Sequence, residues 1–71
     1  ILSKSKAQSI ALADAGVSSS AAKFIRVELD RDDGTRVYEI EFTAGDLEYE
    51  YEIDAKSGKV LSSDKEYRDR D

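Results

Sequence analysis

The sequence predicts an α+β domain in which one N-terminal helix packs on a four-stranded antiparallel β-meander, giving two layers. Three observations carry this. From Arg36 to Asp54 apolar and charged residues alternate on both sides of a Thr43-Ala44-Gly45-Asp46 break, the period-two pattern of two half-buried strands joined as a hairpin. Ahead of them, Ser3 to Ala15 places Ala7, Ile10, Ala11 and Ala15 at helical spacing. Glycines at 34, 45 and 58 stand where the chain must reverse between strands.

Taken in order, the helix opens at Ser3, a suitable N-cap. Its mostly alanine stripe lets the helix axis lie close to a sheet. Gly16 suits the left-handed position after the last turn, with Val17 folding back onto Leu12 as in a Schellman motif. Lys4 and Lys6 near the positive helix end are unfavourable by tenths of a kcal/mol. Residues 18–22, three serines and two alanines, read as a connection.

The first strand runs from Lys23 to Asp30, with Ile25, Val27 and Leu29 inward and Arg26, Glu28 and Asp30 outward. Asp32-Asp33-Gly34 is a strong hairpin signal. A two-residue loop at Asp33-Gly34 pairs Leu29 with Tyr38, Val27 with Ile40 and Ile25 with Phe42; a four-residue loop shifts the register by two and keeps the same faces. An odd loop would turn half the core to solvent, so side-chain period excludes it. A tight Ala44-Gly45 turn then pairs Phe42 with Leu47, Ile40 with Tyr49 and Tyr38 with Tyr51. After a turn at residues 54–58, Lys59 to Ser62 forms a short last strand, and Ser63 to Asp71 is expected to fray or serve as a linker. A helix this short covers little of the sheet, so Tyr51, Ile53 or Phe24 is expected to stay partly exposed.

Seventy-one residues allow one domain and one small core, burying about 60–65% of the unfolded surface. With neither cysteine nor histidine, disulfides and the usual structural zinc site are excluded. No run of roughly 18 apolar residues and no export-type leader occurs, so no direct membrane insertion by this segment is expected. The lack of methionine, position 1 included, reads as a processed chain or excised domain whose targeting information lies elsewhere.

Net charge is −5, unevenly spread. Residues 28–54 hold eleven acids against Arg31 and Arg36, whereas residues 1–27 set Lys4, Lys6, Lys23 and Arg26 against Asp14. The absence of a basic footprint argues against nucleic acid and anionic lipid as partners.

The arrangement resembles the PepSY domain family. The features that carry the likeness run from Ser3 to about Asp64: Ala7-x-x-Ile10-Ala11-Leu12 leading to Ala15-Gly16-Val17, Glu28-Leu29-Asp30-x-Asp32-Asp33-Gly34, Val37-Tyr38-Glu39-Ile40-Glu41-Phe42, Tyr49-Glu50-Tyr51-Glu52-Ile53-Asp54-Ala55 and Ser57-Gly58-Lys59-Val60-Leu61. The resemblance implies one PepSY-like domain over residues 1–64 with a charged tail or linker at 65–71. It also implies a propeptide or regulatory role of the kind found beside thermolysin-like metallopeptidases, and an extracytoplasmic setting, secreted or envelope-anchored. No catalytic residues carry over from the family. Ala21-Ala22 departs from the larger apolar residue expected at the entry to the first strand.

The residues themselves point away from catalysis. Paired catalytic carboxylates need unlike environments, but the acids here recur two apart on one open sheet face and are similarly hydrated. Without histidine no Ser/Cys–His pair exists. Asp30 to Gly34 is superficially like a calcium loop, but its glycine falls one position early and position 12 would be Glu41, inside a strand. No catalytic residue, metal ligand or cofactor is therefore expected. The candidate partner surface is Glu39, Glu41, Glu48, Glu50 and Glu52 on the outward sheet face. The expected function is a non-catalytic protein-binding module that restrains or regulates a peptidase or envelope protein. The alternative is a structural module that associates with a copy of itself or a tandem neighbour.

Overall fold

The computed structural model of the chain describes residues 1–68 and, at Asp32, the backbone alone. One helix, α1 (Lys4–Ala15), is followed by β1 (Lys23–Asp32), β2 (Thr35–Ala44), β3 (Leu47–Asp54) and β4 (Val60–Tyr67). The strands form one antiparallel sheet in chain order β1-β2-β3-β4. α1 lies across one face of that sheet, the two-layer α+β fold the patterning predicts.

Local chemistry accounts for the helix. The Ser3 hydroxyl accepts from the Lys6 amide at 3.0 Å and caps the start. At the other end Gly16 is left-handed, φ 71. The Gly16 amide reaches the Ala13 carbonyl and the Val17 amide the Leu12 carbonyl, completing the Schellman motif. Between these caps Ala7 and Ala11 are fully buried against the sheet. Two hydrogen bonds fix the entry to α1: the Leu2 amide donates to the Ala55 carbonyl at 2.7 Å, and the Tyr38 hydroxyl donates to the Leu2 carbonyl at 2.6 Å.

The core is the helix-side face of β2 and β3: Tyr38, Ile40, Phe42, Tyr49, Tyr51 and Ile53, with Ala55. Phe42 is its centre, stacked on Tyr49 at 4.8 Å between ring centroids and tilted against Phe24 at 5.3 Å. Tyr51 and Ile53 are buried, so the residue left partly exposed is the third of those named. Alanines on the contact face of α1 make the difference, because they let the helix approach the aromatic rings closely; Phe24 does remain half-buried.

Registers agree with expectation in the first hairpin and differ in the second. Asp33 (φ 52) and Gly34 (φ 82) form a two-residue turn with both central residues at positive φ, the type I′ geometry, and Leu29 pairs with Tyr38 and Val27 with Ile40. Further along, a bulge between Phe24 and Arg26 changes the outcome: Phe24, not Ile25, stands opposite Phe42. Ile25 is the extra residue and is 55% exposed. Leu29 keeps its core-face position but sits at the sheet edge and is exposed as well.

The second hairpin turns at Gly45-Asp46 rather than at Ala44-Gly45. Ala44 pairs with Leu47, so Phe42 meets Tyr49, Ile40 meets Tyr51 and Tyr38 meets Ile53. The reason is local. Gly45 has φ 62, and a type II′ turn puts glycine at its first central position, which Ala44 would otherwise have to occupy in a strained conformation.

β4 also runs longer than the four residues expected. Val60 pairs with Ile53, a bulge at Leu61 follows, and Ser62 to Tyr67 then pair with Glu52 back to Leu47 without interruption. The Arg68 amide and guanidinium bond the carbonyls of Asp46 and Gly45, tying the strand's end to the β2–β3 turn. Of the tail expected to fray, residues 63–67 are thus strand, and 69–71 lie outside the described residues.

Candidate functional site

The face of the sheet turned away from α1 collects the acids. Directly opposed residues in an antiparallel pair share a face, so the register sets their neighbours. Glu39 lies opposite Glu52 and Glu41 opposite Glu50, while Glu48 faces Thr43. The Ala44-Gly45 turn expected from the sequence would instead have set Glu41 against Glu48 and Glu39 against Glu50, a register two residues away. The five candidate residues therefore share one surface, in different partnerships. Glu28 extends it on β1 beside Glu39, as the two-residue loop implied. Asp64, opposite Glu50, and Glu66, opposite Glu48, extend it on β4. Sequence reasoning missed these last two because Ser62 to Glu66 holds no apolar residue to alternate with them; the only hint was Asp-x-Glu spacing.

Arg26 organises one side of this surface. Its guanidinium lies 2.9 Å from Glu28, 3.0 Å from Glu39 and 3.7 Å from Glu41. Hydrogen bonds to Glu39 and then Glu28 hold it protonated further above its ordinary range. These ion pairs offset the like-charge contacts that the register forces between β1 and β2. Arg26→Gln is expected to lower the melting temperature at low salt, with the deficit shrinking as salt screens the exposed glutamates. Thermal melts across an ionic-strength series check this; a deficit independent of salt would show that Arg26 acts through packing instead.

On the opposite side of the sheet, the Tyr51 hydroxyl donates to Asp14 near the end of α1 at 2.9 Å. Burial, and then this hydrogen bond to a carboxylate, push its pKa up to about 12. The folded state thus holds a proton that the unfolded chain releases near pH ~10. The resulting stabilisation is complete below about pH 10 and is lost as pH rises toward about 12. Melting temperature against pH should accordingly fall more steeply over that interval for the native chain than for Tyr51→Phe. Parallel curves would refute the coupling.

Chemically, the surface can attract and orient cationic groups. Its acids recur at strand spacing on an open face, and Arg26 is engaged with three of them. Among the described residues, no group of three or more acids, histidines or cysteines is arranged to hold a metal ion. No helix among them is long and apolar enough to cross a membrane.

A family model, the peptidase propeptide and YPEB domain (PepSY), matches residues 1–64. The chain belongs to the PepSY family. The PepSY match takes in α1, all of β1 to β3 and the first part of β4. PepSY is a propeptide and regulatory domain, generally non-catalytic and typically extracytoplasmic. An uncharacterized protein of Streptococcus pyogenes serotype M6, Spy1430, is 49% identical over 65 residues, covering 92% of this chain and 50% of the relative. The chain therefore spans about half the length of that relative. No solved structure matches.

Proposed function

We propose that the domain is a non-catalytic, extracytoplasmic protein-binding module that restrains or regulates a peptidase, docking through the acidic sheet face. The observation that carries this reading is the accumulation of Glu39, Glu41, Glu48, Glu50 and Glu52 on one sheet face, in registers that set like charges against each other. Such an arrangement costs some tenths of a kcal/mol per opposed pair. A basic patch on a partner would relieve that cost and be steered toward the face. Family membership supplies the peptidase side of the reading.

The test uses a purified thermolysin-like metallopeptidase and a triple variant, Glu48→Lys, Glu50→Lys and Glu52→Lys. These positions avoid the carboxylates that hold Arg26, so the fold should persist, as circular dichroism would verify. The native domain is expected to slow peptide hydrolysis in a salt-sensitive manner, and the variant to lose that effect. Undiminished restraint by the variant removes the acidic face from the account; no restraint by the native domain removes the peptidase.

Self-association is the second reading, favoured by the outer edges of β1 and β4, against which no described strand pairs. Sedimentation of the chain separates the two: a stable dimer without peptidase binding supports assembly.

A further inference from the structure

β4 is the outer strand on one side of the sheet, and among the described residues no strand pairs with its far edge. Its register against β3 is unbroken from Ser62 to Tyr67, and every residue of that stretch is exposed. Six residues at ~3.3 Å each present about 20 Å of backbone whose outward amides and carbonyls can pair with another chain.

Charge distinguishes this edge from that of β1. On the acidic face β1 sets Arg26 beside Glu28 and Asp30, whereas the Ser62 to Tyr67 stretch of β4 carries Asp64 and Glu66 there and no base. One row of the sheet runs Arg26, Glu41, Glu50, Asp64. At ~4.8 Å between strands, Asp64 is about 14 Å from Arg26. That exceeds the ~8 Å screening length at physiological salt. Along β1 a base therefore offsets part of the negative potential, and along Ser62 to Tyr67 of β4 none does.

We propose that the free edge of β4 seats an extended peptide segment with Lys or Arg at alternate positions, added as a fifth strand with its bases opposite Asp64 and Glu66. This rests on the protein-binding reading above and names the chemistry of the partner segment. Alternation matters because directly opposed residues share a face. Bases two apart all reach the acids, whereas a base at the intervening position would lie on the α1 side beside Lys65.

A second copy of the chain is a poor occupant. Two-fold antiparallel pairing of β4 with itself must oppose residues of the same face. The two registers that pair the most of Ser62 to Tyr67 set Asp64 against its own symmetry mate, or Lys65 against its mate with Asp64 facing Glu66. Like charges directly opposed are unfavourable in both registers. A strand with alternating bases replaces them with opposite-charge pairs.

The experiment titrates the native chain with a short alternating Lys-Thr peptide, a block peptide of the same composition, and two N-methylated forms of the alternating peptide, one methylated at every lysine and one at every threonine. Backbone amide shifts and exchange rates are read by NMR. The alternating peptide should bind about tenfold tighter than the block peptide, the worth of two opposed charge pairs, and slow exchange at alternate amides between Ser62 and Tyr67. One N-methylated form should lose binding while the other keeps it, since only alternate peptide amides face the protein. Asp64→Lys combined with Glu66→Lys should abolish the preference. Equal affinity of all four peptides overturns the edge proposal and leaves docking on the acidic face intact. Binding at the edge by a domain that restrains no peptidase supports the edge proposal and removes the peptidase reading alone.

Discussion

Phe42→Ala is expected to take most of the stability from this domain. Phe42 is fully buried at the centre of the core, stacked on Tyr49 and in contact with Phe24. It lies on β2, an interior strand flanked by β1 and β3. Truncating such a ring removes its burial and leaves a cavity that paired backbones on both sides cannot close, a loss of about 3–5 kcal/mol. At ~0.05–0.15 kcal/mol per residue, a chain this size has in all about 4–10 kcal/mol to lose. Urea unfolding should show the midpoint collapse toward zero, with much of the near-ultraviolet aromatic signal gone even without denaturant. Ile25→Ala is the matched control. Displaced by the bulge and 55% exposed, it should change stability by no more than ~0.5 kcal/mol. A loss at Ile25 of the size expected for a buried isoleucine, about 2–5 kcal/mol, would mean that Ile25 points inward and the bulge is wrong.

Gly58→Ala should have the next largest effect, through two mechanisms that can be measured apart. Gly58 has φ 81, and a β-carbon built there would lie 3.1 Å from the Ile10 Cδ1 and 3.2 Å from the Leu2 Cδ1. The left-handed backbone alone costs an alanine about 1–2 kcal/mol. Gly45 is also at positive φ, 62, but has nothing within 4 Å of its would-be side chain. Gly45→Ala therefore reports the backbone cost alone, and Gly58→Ala should exceed it by the cost of displacing Leu2 and Ile10. Those residues brace the start and middle of α1, so the Gly58 variant should also lose helical circular dichroism where the Gly45 variant does not. Equal losses in both would show that α1 does not bear on the β3–β4 turn.

The faces of the sheet were legible because side-chain period is two and hydropathy follows it closely from Arg36 to Asp54. Alanine spacing and the Ser3 and Gly16 caps made the helix equally plain. Register was not, for a reason built into the same pattern: sliding β3 by two residues leaves every side chain on its face, so hydropathy cannot see the slide. The first central position of the turn decides it, since glycine takes positive φ there more readily than alanine. The bulge in β1 was hidden because Phe24 and Ile25 are both apolar, and either satisfies an inward position. β4 was hidden by its polarity. It is an edge strand held by backbone pairing to β3, and such pairing leaves no hydropathic trace. Alternation therefore placed the acids of β2 and β3 on one face and stopped short of Asp64 and Glu66 on β4. Arg26's grip on three carboxylates followed from a register that places it opposite Glu41 and next to Glu28 on the same face.

Every strand in the sheet pairs with its neighbour in the chain, and this has a kinetic consequence. Zipping three successive hairpins closes only short loops, so the sheet assembles quickly for a β-rich domain. The distant links join the helix to the strands: Tyr38 to Leu2 across 36 residues and Tyr51 to Asp14 across 37. The helix therefore docks late. Until it does, the aromatic face of the newborn meander stands open to water, and it is in that interval that the molecule is most vulnerable to aggregation.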